Sequence, residues 1–499
     1  MFNLVQNELI KIFHKKTLYI VLAIFLILSI IGVILTEVLE NSILEYSYID
    51  EAIIAQEQYL TTIDKLTEEG LYTYSYTEAE IEYLKLLQKY GEDSWQSIIV
   101  EEQLYDIIIE LSFHRNGVYK NKEEEKAELK NKYDEIIKRL DVGDWKAFVQ
   151  EELENTNELI KLNEESAKNT SNLNVKKSFE KEVELLKLGK QILEWRLDKD
   201  ICFGNKEMDL LLNEYEWSQS NIIYLNYNYD VNEQNYKDIE TEDYKYLEKK
   251  EYQSNLSGAN IAEYKIENSI YEAKTVTYYL QHLFQSNGLM FTIIIATIFA
   301  GTIVNEEFNK GTIKLLLVRP YSRRKILLAK LIACFIVVMI AITVITAMQM
   351  VILGVTYGFD TMSTPVIVYD YNANSVITMN ILKYLAIYLL NITPMIIIYI
   401  MLSFFIGSAL KNSSLAIAVS LLLYMASNIT VGLSEQLITV KWLKYIPIFN
   451  WDLTQYLYGK LPLLEGMNIS GSIMICADII LVLMIMTFYN FEQRDVKNI

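Results

Sequence analysis

No motif of the kind that does catalysis stands out in this 499-residue chain. There are three histidines, His14, His114 and His282, and no H-E-x-x-H, so a hydrolytic zinc site lacks its ligands. Cradling a nucleotide phosphate needs G-x-x-x-x-G-K-[ST]. Gly189–Lys190 and Gly459–Lys460 have neither the earlier glycine nor the following hydroxyl. The chain therefore binds no ATP through a P-loop, and any nucleotide energy must come from a separate subunit. The charged groups that stand out lie in Asn305–Lys330, N-E-E-F-N-K-G-T-I-K-L-L-L-V-R-P-Y-S-R-R-K-I-L-L-A-K. Glu306 and Glu307 close one apolar run, and Arg323, Arg324 and Lys325 open the next. These opposite charges invite pairing across a short connection. Exposed pairs contribute only about 0–1 kcal/mol, so positioning is the role they suit. Asp478 is the other charge to explain, because it sits inside an apolar run. A carboxylate there is costly and must face protein or water, as an ion site or by snorkelling to the nearby end.

The elements that must position these groups follow from pattern. Thr312–Val318 reads as a short amphipathic helix that presents Ile313, Leu316 and Leu317 to a groove, with Lys314 and Arg319 at its rim. Gly311 permits a tight entry, and Pro320 fixes the exit. Ser322 stands where its hydroxyl can cap the helix that follows. At the other end of the chain, Phe2, Val5, Leu9, Ile12 and Phe13 recur at helical spacing, which predicts a helix lying in a membrane interface.

Six apolar stretches approach the roughly 20 residues needed to cross a bilayer: 17–36, 289–304, 326–355, 382–410, 414–433 and 472–490. Basic residues gather beside alternate ends of these runs, from Lys11, Lys15 and Lys16 to Arg494 and Lys497. That asymmetry predicts cytoplasmic termini and a cytoplasmic 305–325 segment in the cell membrane, with residues 37–288 outside. The formal net charge of −19 is unevenly shared: residues 37–288 carry about −25 and the rest about +6. The outer region has no proline, and its apolar residues recur at helical spacing. Asp144 can cap a helix with Trp145, Phe148, Val149 and Leu153 on one face, and Phe179, Val183 and Leu186 do the same within 175–197. The charged run 120–140 reads as an exposed arm, and 73–77 and 222–229 as the best strand candidates. Residues 441–458, rich in aromatics, read as a helix against the membrane interface. Cys202 is alone in the outer region, so no disulfide within it is available. The fold class expected is an all-α polytopic membrane protein. Residues 1–16 form an interfacial elbow and 17–36 the first of six transmembrane helices. Residues 37–288 form a mostly helical extracellular domain, and 289–499 carry the other five spans.

The Asn305–Lys330 stretch resembles the coupling segment of the membrane subunit of type-2 ABC exporters, roughly E-x-x-x-G-T-x-x-x-L-L-x-x-P-x-S-R-x-x-I-x-x-x-K. Glu307, Gly311, Thr312, Leu316, Leu317, Pro320, Ser322, Arg323, Ile326 and Lys330 fall on that pattern, with Arg319 beside the proline. The resemblance implies that these residues couple the chain to a separate ABC ATPase, which binds the ATP and Mg. It also implies a pair of membrane subunits, from a second copy or a related permease. The chain itself would hold no cofactor and no metal, would not be an enzyme, and would bind no nucleic acid. The resemblance does not extend over residues 37–288. Their acidity and 23 tyrosines suit a cationic peptide, so export of, or immunity to, an antimicrobial peptide is the expected task. A membrane sensor, whose outer domain binds a ligand without transport, is the alternative.

Overall fold

A computed structural model describes residues 1–44, 49–119, 122–227, 241–270, 274–284, 289–309, 322–410 and 412–492. The chain divides into two compact units. One comprises Met1–Thr36, Val231–Ile261 and Glu272–Ile499; the other comprises Glu37–Asp230 and Ala262–Tyr271.

The first unit is a helical bundle. Among the described residues, five helices are long and apolar enough to cross a membrane: the one containing Leu18–Leu35, then Arg323–Tyr357, Ile381–Leu410, Ser413–Gly432 and Ile469–Glu492. The helix Leu289–Asn309, expected as a further span, carries a shorter apolar stretch, Met290–Ile303. Arg323–Tyr357 has 35 residues, about 52 Å of helix against a hydrocarbon core near 30 Å. It must tilt or project beyond the bilayer. The bundle core is built on residues such as Phe299, Val337, Ile392, Tyr399 and Phe404, each 2% exposed or less. Polar side chains inside it are bonded across helices: Ser403 Oγ donates to the Thr297 carbonyl at 3.2 Å, and the Tyr399 and Ser427 hydroxyls lie 3.2 Å apart. Pro394 interrupts the ladder of Ile381–Leu410 without ending the helix.

Two stretches expected as loop or helix are folded differently. Residues 356–380 contain a two-stranded antiparallel hairpin, Val366–Asp370 with Ser375–Met379, in register Val366↔Met379 to Asp370↔Ser375. The β-branched runs favour strands, and the turn is set by polar side chains. Asp370 Oδ1 accepts from the Asn372 and Ala373 amides at 2.9 and 3.3 Å, and Asn374 adopts φ 51°. The strands amend the all-α expectation locally. Residues 441–458 are not one interfacial helix but three short turns, Lys441–Tyr445, Pro447–Asn450 and Leu453–Gly459. They fold inward around Asn450, 1% exposed. Its Nδ2 donates to the carbonyls of Lys444 and Ile446, both at 2.8 Å, and its Oδ1 accepts from Ser472 Oγ at 2.6 Å. Trp442 and Tyr445 remain exposed, while Phe449 and Trp451 are buried.

The short turns, the residues up to Pro462 and the hairpin turn form a cap on which the helix Thr241–Glu267 lays its first two-thirds. Tyr246 donates to the Pro462 carbonyl at 2.7 Å and Tyr371 to the Gln253 carbonyl at 2.9 Å. The Leu461 amide donates to Gln253 Oε1 at 2.9 Å, and the fully buried Asp243 pairs with Lys441.

The second unit consists of helical hairpins. Asp144 caps Trp145–Asn169 as expected, accepting from the Ala147 amide at 3.2 Å, and Phe148 and Val149 are buried. The next helix, Leu173–Asp198, is capped by Asn172 and packs along it. Neither strand candidate is a strand. Thr73–Thr77 lies inside the helix Glu68–Tyr90, and 222–227 closes the helix Lys206–Tyr227, with 228 and 229 outside the described residues. Tyrosines at 72, 74 and 76 mimic a period of two, yet the buried residues there are Ser75 and Thr77. Their hydroxyls donate to the carbonyls of Leu71 and Thr73, one turn back. The charged run is also not a free arm. The helix Glu123–Val142 sends Tyr133, Ile136 and Ile137 against a core of Ala79, Ile99, Val100, Leu104, Ile108, Leu140 and Phe148.

Candidate coupling surface

The functional residues singled out in the sequence fall into two sets. Gly311, Thr312, Leu316, Leu317, Arg319 and Pro320 lie outside the described residues, as does the side chain of Glu307 at the end of Leu289–Asn309. The second set, Ser322, Arg323 and Lys330, forms the start of the helix Arg323–Tyr357, where two other elements converge.

Ser322 stands at the N-cap position with extended backbone (φ −65°, ψ 148°), but its hydroxyl makes no capping bond. The expected cap is therefore one of backbone conformation only. The last apolar helix arrives beside it. Arg323 Nη1 donates to the Glu492 carbonyl at 2.8 Å, and Arg324 grips the Glu492 carboxylate with Nε and Nη2 at 2.5 and 2.9 Å. A planar guanidinium matches a carboxylate in this two-pronged way, which fixes direction as well as distance. The pairing foreseen for the arginines was with Glu306 or Glu307; for Arg324 the partner is Glu492. A cavity of about 420 Å³ opens next to it, walled by Leu328, Met484 and Phe488 with Arg324 and Lys325 at its rim.

Two turns further on, Lys330 is buried, 3% exposed. Its Nζ lies 3.0 Å from Glu8 Oε2, and Lys11 Nζ lies 2.7 Å from Glu8 Oε1. Glu8 belongs to the N-terminal helix Phe2–Phe13, which seats Leu4, Val5, Glu8 and Ile12 inward and leaves Phe2 80% exposed. The apolar stripe read from sequence holds at Val5, Leu9, Ile12 and Phe13, which pack on the core, and fails at Phe2. Phe2 points out, and a carboxylate occupies the buried face because Lys330 waits there. Burial pushes the Glu8 carboxyl upward, but Lys330 and Lys11 together outweigh it and hold the pKa below the ordinary 4.5. Nothing in the pattern of Phe2–Phe13 signals this. The only sequence clue is a charged residue, Lys330, in an otherwise apolar run.

This surface has no nucleophile–base pair, and the described residues contain no cluster of metal-ligating side chains. Its capability is mechanical. One short stretch, Ser322–Lys330, is tied to the N-terminal helix and to the end of the last helix, so a displacement of it moves both.

Residues 254–497 match a family described as "Protein of unknown function (DUF2705)". Over 236 residues the chain is 29% identical to the uncharacterized protein YhcI of Bacillus subtilis, covering 47% of this chain and 74% of YhcI. Over 200 residues it is 30% identical to the uncharacterized membrane protein YdbK of the same bacterium, covering 40% of this chain and 76% of YdbK. The chain belongs to the same family as YdbK. No solved structure matches it. With five apolar helices and a membrane protein as relative, this member of the YdbK family is a multi-pass membrane protein. The DUF2705 match begins inside Thr241–Glu267, at the helix that docks on the cap, and runs through the last apolar helix. The acidic helical unit is almost wholly outside it.

Proposed function

We propose that this chain is the membrane-spanning subunit of an ATP-driven exporter of the ABC type, coupling a separate ATPase to substrate movement. The observation that carries the reading is the conjunction at residues 305–330. The exporter-like pattern ends in Ser322, Arg323 and Lys330, and those residues sit where a push would be shared by the N-terminal helix and the last helix. Glu307, Gly311, Thr312, Leu316, Leu317, Arg319 and Pro320 supply the ATPase-facing part. In this reading both termini and the 305–325 segment are cytoplasmic, six helices span the membrane, and the acidic domain is extracellular. Two membrane subunits and two ATPases make the working unit. A cationic amphipathic peptide is the substrate class that suits an outer domain of about −25.

The test is purification of the full-length chain from its native membrane. A copurifying ABC ATPase, lost on Arg323→Glu while the chain stays in the membrane, supports the reading. Purification without any ATPase, or ATP turnover that peptide stimulates equally with Arg323→Glu, overturns it.

A further inference from the structure

A cavity of about 390 Å³ lies between the first apolar helix, the helix Val276–Leu283 with the start of Leu289–Asn309, and Arg323–Tyr357. That size falls within the roughly 300–1,000 Å³ typical of small-ligand pockets. Its wall is mostly apolar. Phe25 and Phe291 meet edge to face at 5.4 Å, with Ile342 and Leu353 opposite. Gly32 leaves the wall thin, since a Cβ there would meet nothing within 4 Å. Leu28 at the margin is 50% exposed, so the cavity edge is on the bundle surface.

The polar groups are placed in two tiers. At one end Tyr357, the last residue of its helix, stacks on Tyr279 with centroids 4.5 Å apart, and His282 lies one turn on from Tyr279. Gln349 lies eight residues before Tyr357, about 12 Å deeper along the helix. Its amide donates to the Ser29 hydroxyl, which donates to the Phe25 carbonyl at 2.6 Å. A primary amide has a second donor and an acceptor beyond the one spent on Ser29. No Asp, Glu, Lys or Arg is among the lining residues.

A polar collar at the helix end, an amide at depth and an apolar wall between them complement an amphiphile rather than a hydrocarbon. A formally charged head would be buried there without a partner, which is costly. We propose that this cavity binds a single-tailed amphiphile with an uncharged, hydroxyl- or amide-bearing head. It enters sideways from the bilayer past Leu28. The tail lies between Phe25, Phe291 and Ile342, and the head meets Tyr279, His282 and Tyr357. The assignment stands on binding alone and is independent of the exporter reading.

The experiment uses the full-length protein in phosphatidylcholine nanodiscs and a monoacylglycerol with a diazirine in its acyl chain. After irradiation, peptides are sequenced by mass spectrometry. The expected result is saturable labelling confined to the Phe25–Gly32, Phe291–Ile295 and Ile342–Leu353 stretches, competed by unlabelled monoacylglycerol. Gly32→Phe, which fills the cavity, should abolish most of it. His282→Leu, which removes a polar group at the head's end and keeps most of the volume, should weaken competition by about five- to tenfold while labelling by a headless alkyl diazirine is unchanged. Labelling spread evenly over all apolar helices would overturn the proposal. So would equal competition by a headless alkane, stronger competition by a fatty acid carboxylate, or indifference to both substitutions.

Discussion

Lys187 and Glu164 in the acidic unit lie 2.8 Å apart, with side chains 55% and 40% exposed. Lys330 and Glu8 in the apolar bundle lie 3.0 Å apart, with side chains 3% and 9% exposed. The bond lengths are alike; the surroundings are not. The acidic unit keeps most of its charges in water, where Lys85–Glu57 and Lys89–Asp141 are likewise about half exposed; Arg196–Asp209, with side chains 10% and 20% exposed, is a buried exception beside its small apolar core. The bundle is apolar on its surface as well as within, so burying hydrocarbon distinguishes its helices poorly. A few inward polar ties define how they meet. Surface charge is plentiful and individually dispensable in one unit; charge is scarce and position-setting in the other.

This contrast is sharpest where an apolar deletion is set against a charge deletion. Phe148→Ala empties the middle of the acidic unit's core and should cost about 3–5 kcal/mol of that unit's stability, read as its unfolding transition in denaturant. A loss below 1 kcal/mol would mean that the charged surface, not the core, holds the unit.

Lys330→Met should come next. Removing one partner of a buried pair costs roughly 3–5 kcal/mol, and the lower end applies because Lys11 still faces Glu8. Limited proteolysis should show Phe2–Phe13 released, and the double variant Glu8→Gln with Lys330→Met should recover most of the loss. Failure of the double variant to recover would point to packing rather than the ion pair.

Acidity probes the same tie without mutation. The Glu8 carboxyl is held below its ordinary 4.5, so its contribution is full above that value and is lost as pH falls through the lowered one. Melting of the bundle, taken as the difference between the native chain and the double variant, should be level from pH 8 to 5 and shrink below about 4.5. A difference that shrinks between pH 8 and 6 instead would contradict the depressed carboxyl.

Smaller effects belong to the acidic unit. Asp144→Ala removes the cap on Trp145–Asn169 and should cost about 1 kcal/mol, measured by hydrogen exchange in its first turn. Lys187→Ala should cost less than about 1 kcal/mol and vanish in high salt. Should Lys187→Ala match Lys330→Met, the contrast between the two units would collapse.

Features that depend on near neighbours are legible along the chain. Asp144 caps its helix because the amide it accepts from is three residues away. The long apolar runs become helices, since a bilayer leaves few other ways to satisfy a backbone. Packing, by contrast, joins residues far apart. Glu8 finds Lys330 across 322 positions, and Arg324 finds Glu492 across 168. Asn450 gathers Lys444, Ile446 and Ser472, turning an aromatic stretch that reads as an interfacial helix into a folded cap. The tyrosine alternation at 72–76 misleads for the same reason. Period says which residues can share a face, but burial is awarded by the partner, and the partner of Ser75 is Ser112, whose hydroxyl donates to the Ser75 carbonyl at 2.7 Å from another helix.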